Sequence, residues 1–154
     1  MIKYKYDEVV ISISDRALAA LSNNTQVSDK PETGGLIFGR RSETRIIVEE
    51  CVVIKVVKKQ SRAAFWPCNK EELRVIRMLK KSGLNYLGDW HTHPQEIPTP
   101  SFEDICSMKK SFKESIHRLP FFLLIVVGWA DFPSGLSVNI VNESAIKELE
   151  LYDK

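Results

Sequence analysis

The stretch Gly88-Asp-Trp-His-Thr-His-Pro-Gln-Glu-Ile-Pro-Thr-Pro-Ser-Phe-Glu-Asp104 constrains this chain more than any other. It holds two of the three histidines, His91 and His93, directly after the run Leu84-Asn-Tyr-Leu-Gly-Asp-Trp90. If that run is a strand, a spacing of two puts both imidazoles on the same face. Ser101-Phe-Glu-Asp104 reads as the N-terminus of a helix, a capping box with Asp in place of the usual Glu or Gln. Such a cap sets Asp104 firmly in the first helical turn. Two neutral imidazoles and one carboxylate, with a fourth position left to water, are the ligand set of a catalytic zinc. A structural zinc would close the site with a fourth protein ligand, and the one cysteine placed nearby is Cys106. Taken alone, H-x-H is a weak signal and the cap needs no further role. The metal reading and the cap reading are compatible.

The chain around this stretch is long enough, at 154 residues, for one domain spanning 1–154 with a substantial core. A net charge of +2 forces no nucleic-acid or membrane partner. Cys51, Cys68 and Cys106 are odd in number and form no C-x-x-C pair, which fits a reducing compartment. Met1-Ile-Lys-Tyr-Lys-Tyr-Asp-Glu8 lacks the apolar region of a secretory signal. The longest apolar run, Leu119 to Ala130, is too short to span a bilayer and reads as a buried strand. Cytoplasm is therefore the expected location.

Val9–Ser14 alternates toward its end and reads as a strand, with Ser14 or Asp15 capping a helix over Arg16–Ser22. The polar run Asn23–Pro31 is a loop that delivers Glu32 to the strand Gly34–Gly39. Small residues in that strand let its backbone pass close to other groups. Without His91 and His93, Glu32 is an ordinary surface acid. Arg40–Arg45 reads as a hairpin turn. The β-branched Ile46–Val57 is one bent strand or two.

Lys58-Lys-Gln-Ser-Arg62 is a basic run, which more often faces solvent than an acidic partner. Phe65-Trp-Pro67 reads as a packing turn, although an exposed Trp66 would suit peptide recognition. Asn69 is expected to cap a helix over Lys70–Ser82. Its buried stripe is either Leu73, Ile76 and Leu79 or Val75 and Met78, and Gly83 ends it. After Ser101 comes a helix whose core stripe is Phe102, Ile105 and Phe112, with Cys106 a small buried thiol. His117 reads as structural or exposed. Pro120–Trp129 is a central strand, Asp131–Gly135 a turn and Leu136–Val141 a returning strand. Asn142 or Ser144 caps a short C-terminal helix. The sum is a mixed α/β layered domain.

His91-Thr-His-Pro94, then seven residues between His93 and Ser101, then Ser101-Phe-Glu-Asp104, resemble the JAMM motif of the MPN-plus (JAB/MPN/Mov34) metalloproteases. Pro31-Glu-Thr-Gly-Gly-Leu-Ile-Phe-Gly39 is similar to the family's turn that carries an upstream Glu, here Glu32. The resemblance covers most of the chain. It implies a single mixed curved β-sheet flanked by helices, cytidine-deaminase-like in layout. It also implies Zn2+ on His91, His93 and Asp104, with Glu32 as general base and Ser101 hydrogen-bonding the oxyanion.

In this family the bond cleaved usually follows the glycine tail of ubiquitin or a ubiquitin-like protein. An extended tail could pair with an exposed edge strand. The small domain resembles the prokaryotic JAB deconjugases, and most of all those of bacterial operons with ubiquitin-transfer-like enzymes, the anti-phage CBASS operons among them. That resemblance implies release of a nucleotidyltransferase from proteins to which it has been conjugated. A sulfur-carrier processing protease is the near rival. A non-catalytic MPN scaffold is disfavoured by the complete donor set, and a nucleobase deaminase by the lack of P-C-x-x-C.

Overall fold

The computed structural model describes residues 1–26, 31–54, 57–60, 65–67 and 69–152, with 57–60, 65–67 and 69 described by backbone alone. Along the chain run β1 (Ile2–Tyr6), β2 (Val9–Ile13), α1 (Asp15–Ser22), β3 (Gly34–Arg41), β4 (Arg45–Val53), β5 (Val57–Gln60) and β6 (Phe65–Pro67). Then follow α2 (Asn69–Lys81), β7 (Asn85–Thr92), α3 (Phe102–Glu114), β8 (Phe122–Val127), β9 (Leu136–Val141), β10 (Ile146–Glu148) and β11 (Glu150–Leu151).

A run that is apolar at every position suits a strand covered on both faces, and β8 is one. Leu123, Ile125 and Val127 enter the main core with Ile11, Ile37 and Leu21 of α1, while Phe122, Leu124 and Val126 pack with Met108 of α3. α2 covers the neighbouring part of the same outer face, where Val75 meets Leu36 and Phe38. The strands form a nine-stranded sheet in the order β10-β9-β8-β7-β3-β4-β2-β1-β11. Pairs β2·β4 and β7·β8 are parallel and the remaining pairs antiparallel, so the sheet is mixed.

Its two end strands are consecutive in the chain, separated by Leu149. Leu149 N–H donates to Val138 O and Tyr152 N–H to Lys3 O, so one segment ties both edges together. The fold is thus α/β, a nearly closed curved sheet with three helices among the described residues. None of these helices is long and apolar enough to cross a membrane.

Several local expectations change. The C-terminal helix is replaced by β10 and β11. Asn142 Oδ1 accepts from Ser144 N and Ala145 N, which turns the chain back along β9. Two open sheet edges give this segment backbone partners, whereas so short a helix is marginal alone. β1 was not foreseen, although Ile2-Lys-Tyr-Lys-Tyr6 alternates and Tyr4 is buried. Phe65–Pro67 is strand β6, paired with β5, rather than a turn, so Ile46–Val57 spans two strands. The side chains of Lys58–Arg62 and of Trp66, and Cys68, lie outside the described residues. Asn69 is the first residue of α2 rather than its cap.

The buried face of α2 is Val75, with Ile76 and Leu79 partly covered; Leu73 and Met78 are each 50% exposed, so neither expected stripe is the one used. On α3, Phe102 is 73% exposed and Cys106 is exposed, against the expected core stripe and buried thiol. Both residues sit two positions from the inward-facing Asp104. At about 100° per residue that carries them roughly 160° around the helix from it. Met108, four residues on from Asp104, is buried instead. His117 is structural: its Nδ1 accepts from Leu119 N and its Nε2 lies 2.8 Å from Phe112 O, joining the end of α3 to the segment that leads into β8.

Candidate metal centre

Alternation along β7 sends Trp90 into the main core and turns its neighbours to the outer face. Trp90 is 1% exposed and donates from its indole N–H to Val52 O at 3.2 Å. His91 and His93 project the opposite way, with ring centroids 4.8 Å apart. β7 ends at Thr92, but His93 N–H still donates to Val127 O at 2.9 Å, so β8 continues to hold the second imidazole in line.

Glu32 arrives from the antiparallel neighbour. In the β3·β7 register Gly34 lies opposite His91. A Cβ on Gly34 would fall 2.9 Å from His91 Cβ and still closer to the Trp90 carbonyl. Only glycine lets the strand behind Glu32 approach the histidines so closely. Ligand atoms of Glu32, His91 and His93 all lie within 4.8 Å of one another, and Glu32 is 6% exposed.

Asp104 comes from α3, and both bonds of the capping box are present: Asp104 N donates to Ser101 Oγ at 3.1 Å and Ser101 N to Asp104 Oδ2 at 2.8 Å. The same Oδ2 lies 3.0 Å from His91 Nε2 and 3.0 Å from His93 Nε2. The structure therefore brings Glu32, His91, His93 and Asp104 together, with Ser101 beside them at the helix cap.

The electrostatics follow from this crowding. Burial works against the charged Asp104 carboxylate, but the two imidazoles and the Ser101 N–H outweigh it and hold its pKa far below the usual range. Burial likewise opposes a charged His93, yet Asp104 and Glu32 push its pKa up. Burial raises the Glu32 pKa against the pull of the histidines. Sequence reasoning missed Gln95, whose Oε1 lies 3.3 Å from His93 Nδ1 and accepts from Thr99 N. A donated Nδ1–H fixes the ring and leaves Nε2 as the ligating atom. The signal available was an amide one residue beyond the His93-Pro94 pair.

Two features test the fit to zinc. His91 Nε2 is buried and, despite its nearness to Asp104, makes no hydrogen bond among the described residues. A buried ring nitrogen left without a hydrogen-bond partner is a group that a metal would satisfy. Ligands at about 2.0–2.2 Å on a tetrahedral centre stand about 3.3 Å from one another, close to the 3.0 Å separations here. Two nitrogens and a carboxylate oxygen are also the donor types zinc takes.

A groove of about 1830 Å³ opens from the cluster between α2 and α3. Its walls carry Glu72, Tyr86, Asp89 and Met108. Tyr86 donates to Asp89 Oδ1 at 2.6 Å. Burial raises the Asp89 pKa to about 6, against the opposing hydrogen bond from Tyr86. Burial, reinforced by Asp89, raises that of Glu72 to about 7.

Comparison with known proteins agrees with this architecture. The model of the family described as prokaryotic homologs of the JAB domain matches residues 14–140. A protein named CD-NTase/cGAS isopeptidase from Pseudomonas aeruginosa is 27% identical over 124 residues, 78% of this chain and 78% of its own. One of the same name from Vibrio cholerae serotype O1 is 29% identical over 111 residues, 68% of this chain and 67% of its own. The solution structure of a Desulfitobacterium hafniense protein, 22% identical, shares the fold with a TM-score of 0.68 over 94% of this chain and 92% of its own. With the family's model running from the cap of α1 to β9 and the expected motif assembled in space, this chain belongs to the prokaryotic JAB-domain family.

Proposed function

We propose that this chain is a zinc-dependent isopeptidase that cuts the bond between a protein's C-terminal tail and the amine to which it has been conjugated. The observation that carries the reading is the convergence of His91 Nε2, His93 Nε2 and Asp104 Oδ2 beside the buried Glu32. His91, His93 and Asp104 would hold the metal. When bound, zinc supplies a Lewis acid and lowers the pKa of a water molecule toward neutrality.

Glu32 takes a proton from the attacking water and returns it to the leaving amine; its raised pKa suits a group that must both accept and give. Ser101 Oγ already accepts from Asp104 N, which leaves its own proton to donate to the oxyanion of the tetrahedral intermediate. The groove between α2 and α3 gives an extended tail a path to these groups. The main sheet offers less at its ends, because β10 and β11 belong to one closing segment.

The names of the relatives support a CD-NTase as the tail-bearing protein, in an anti-phage system of the CBASS type. The complete donor set weighs against a non-catalytic scaffold. The test is a nucleotidyltransferase joined through its C-terminus to a lysine of a carrier protein, incubated with zinc-loaded enzyme and followed by mass spectrometry. Wild type releases the intact nucleotidyltransferase. Glu32→Gln keeps its zinc and loses on the order of 10²–10⁴-fold in turnover. Near wild-type turnover by Glu32→Gln would refute the base assignment, and no release by the loaded wild type would refute the substrate.

A further inference from the structure

Thr92, between the two histidines, points away from the metal cluster. Strand alternation sends it to the inner face, where it is 0% exposed. There it meets the segment that carries Glu32. Thr92 N–H donates to Thr33 O at 2.8 Å, the next rung of the ladder beyond Gly34 and His91. The return bond is different: Thr33 N–H donates to the Thr92 hydroxyl at 3.0 Å. The Thr92 Oγ1 itself lies 3.3 Å from Gln26 Oε1 and 3.3 Å from Thr33 O. Gln26 is 0% exposed.

We infer that Thr92 is a positioning residue for Glu32, its hydroxyl set between two acceptors, Gln26 Oε1 and Thr33 O. The Thr33 N–H belongs to the peptide plane that starts at the Glu32 carbonyl. Holding that N–H fixes the rotation of the plane, and with it the direction in which the Glu32 side chain leaves the backbone. A hydroxyl suits the place because it accepts from Thr33 N while its own proton can go to Gln26 Oε1 or Thr33 O, each 3.3 Å away. One strand thus serves both halves of the site. Its outward residues present the imidazoles, and the residue between them ties down the base from the other face. The inference rests on the reading of Glu32 as general base.

The test compares Thr92→Val with Thr92→Ser. Valine keeps the branched shape and strand preference but offers Thr33 N–H no acceptor; serine keeps the hydroxyl. Three readouts are taken: zinc per chain, amide hydrogen exchange at Thr33, and kcat and KM on an isopeptide conjugate. In Thr92→Val, exchange at Thr33 accelerates at least about tenfold. Zinc content and KM stay at wild-type values, and kcat falls by on the order of 10²-fold, the scale of an ångström misplacement of a reacting group. Thr92→Ser restores all three to within a few-fold.

Wild-type protection of Thr33 in the valine variant overturns the proposal, as does an unchanged kcat. Loss of zinc in that variant also overturns it, since the defect then lies in the strand and not in the base. Glu32→Ala separates the two levels. An inactive Glu32→Ala beside a fully active Thr92→Val sinks the positioning role alone. A fully active Glu32→Ala sinks the reading of the site and this inference with it.

Discussion

Replacing Asp104 with Ala probes the site most directly, because one carboxylate oxygen serves the helix cap and faces both imidazoles. Without metal, the variant loses the acceptor for Ser101 N–H and a negative charge in the first turn of α3. A lost cap bond and a lost favourable helix-terminus charge together cost about 1–2 kcal/mol. For a chain of this size each kcal/mol moves Tm by about 2–4 °C, so the metal-free variant should melt about 2–8 °C below wild type.

Zinc then separates the roles. Supplied at about 100 times its Kd, zinc should stabilise wild type by about 2.7 kcal/mol, or about 5–11 °C. Asp104→Ala should show almost none of that rise. Asp104→Asn keeps an oxygen for the Ser101 N–H, so its metal-free Tm should lie closer to wild type while the zinc response is still largely lost. The assay is a thermal melt with and without zinc, beside metal content by plasma mass spectrometry. If Asp104→Ala melts with the full wild-type zinc shift and retains about one zinc per chain, Asp104 is not a ligand and the three-donor centre is wrong.

Two further perturbations follow from the packing around the site. Gly34→Ala should cost about 1–3 kcal/mol through overpacking and weaken zinc binding, because the added Cβ is driven against the Trp90 carbonyl and His91 Cβ; a wild-type melt and zinc content would show that β3 need not approach β7 so closely. Partial burial, reinforced by Asp89, pushes the Glu72 carboxyl up to about 7, above the usual glutamate value near 4.3. Its contribution to stability is therefore full below pH of about 4 and is lost as pH rises through 7. Glu72→Gln should raise Tm at pH 8 relative to wild type and leave the difference near zero or negative at pH 4; parallel melting curves of the two proteins across that range would contradict the raised pKa of this half-buried carboxyl.

What could be read from the amino-acid order alone was what local geometry dictates. Period-two spacing put His91 and His93 on one face, and the Ser101–Asp104 box started α3 where it starts. The unbroken apolar run announced β8 as a strand covered on both sides. Even Glu32 was legible, through its resemblance to a known pattern, but no local rule says why it should stand beside the histidines. That proximity comes from the antiparallel β3·β7 register, which brings together residues as far apart in the chain as Thr33 and Thr92, 59 positions. The alternation within either segment sets which face a residue takes, but which strand it pairs with is chosen by the whole sheet.

The same holds for the rotation of α3. Helical spacing permitted Phe102 and Cys106 to be core, but with Asp104 facing the imidazoles and Met108 in the core the same helix turns them outward. It holds again for the last residues, where a short segment became strand because two open sheet edges were waiting for its backbone groups. Spacing decided which residues can act together; the closing of the sheet decided which of them meet.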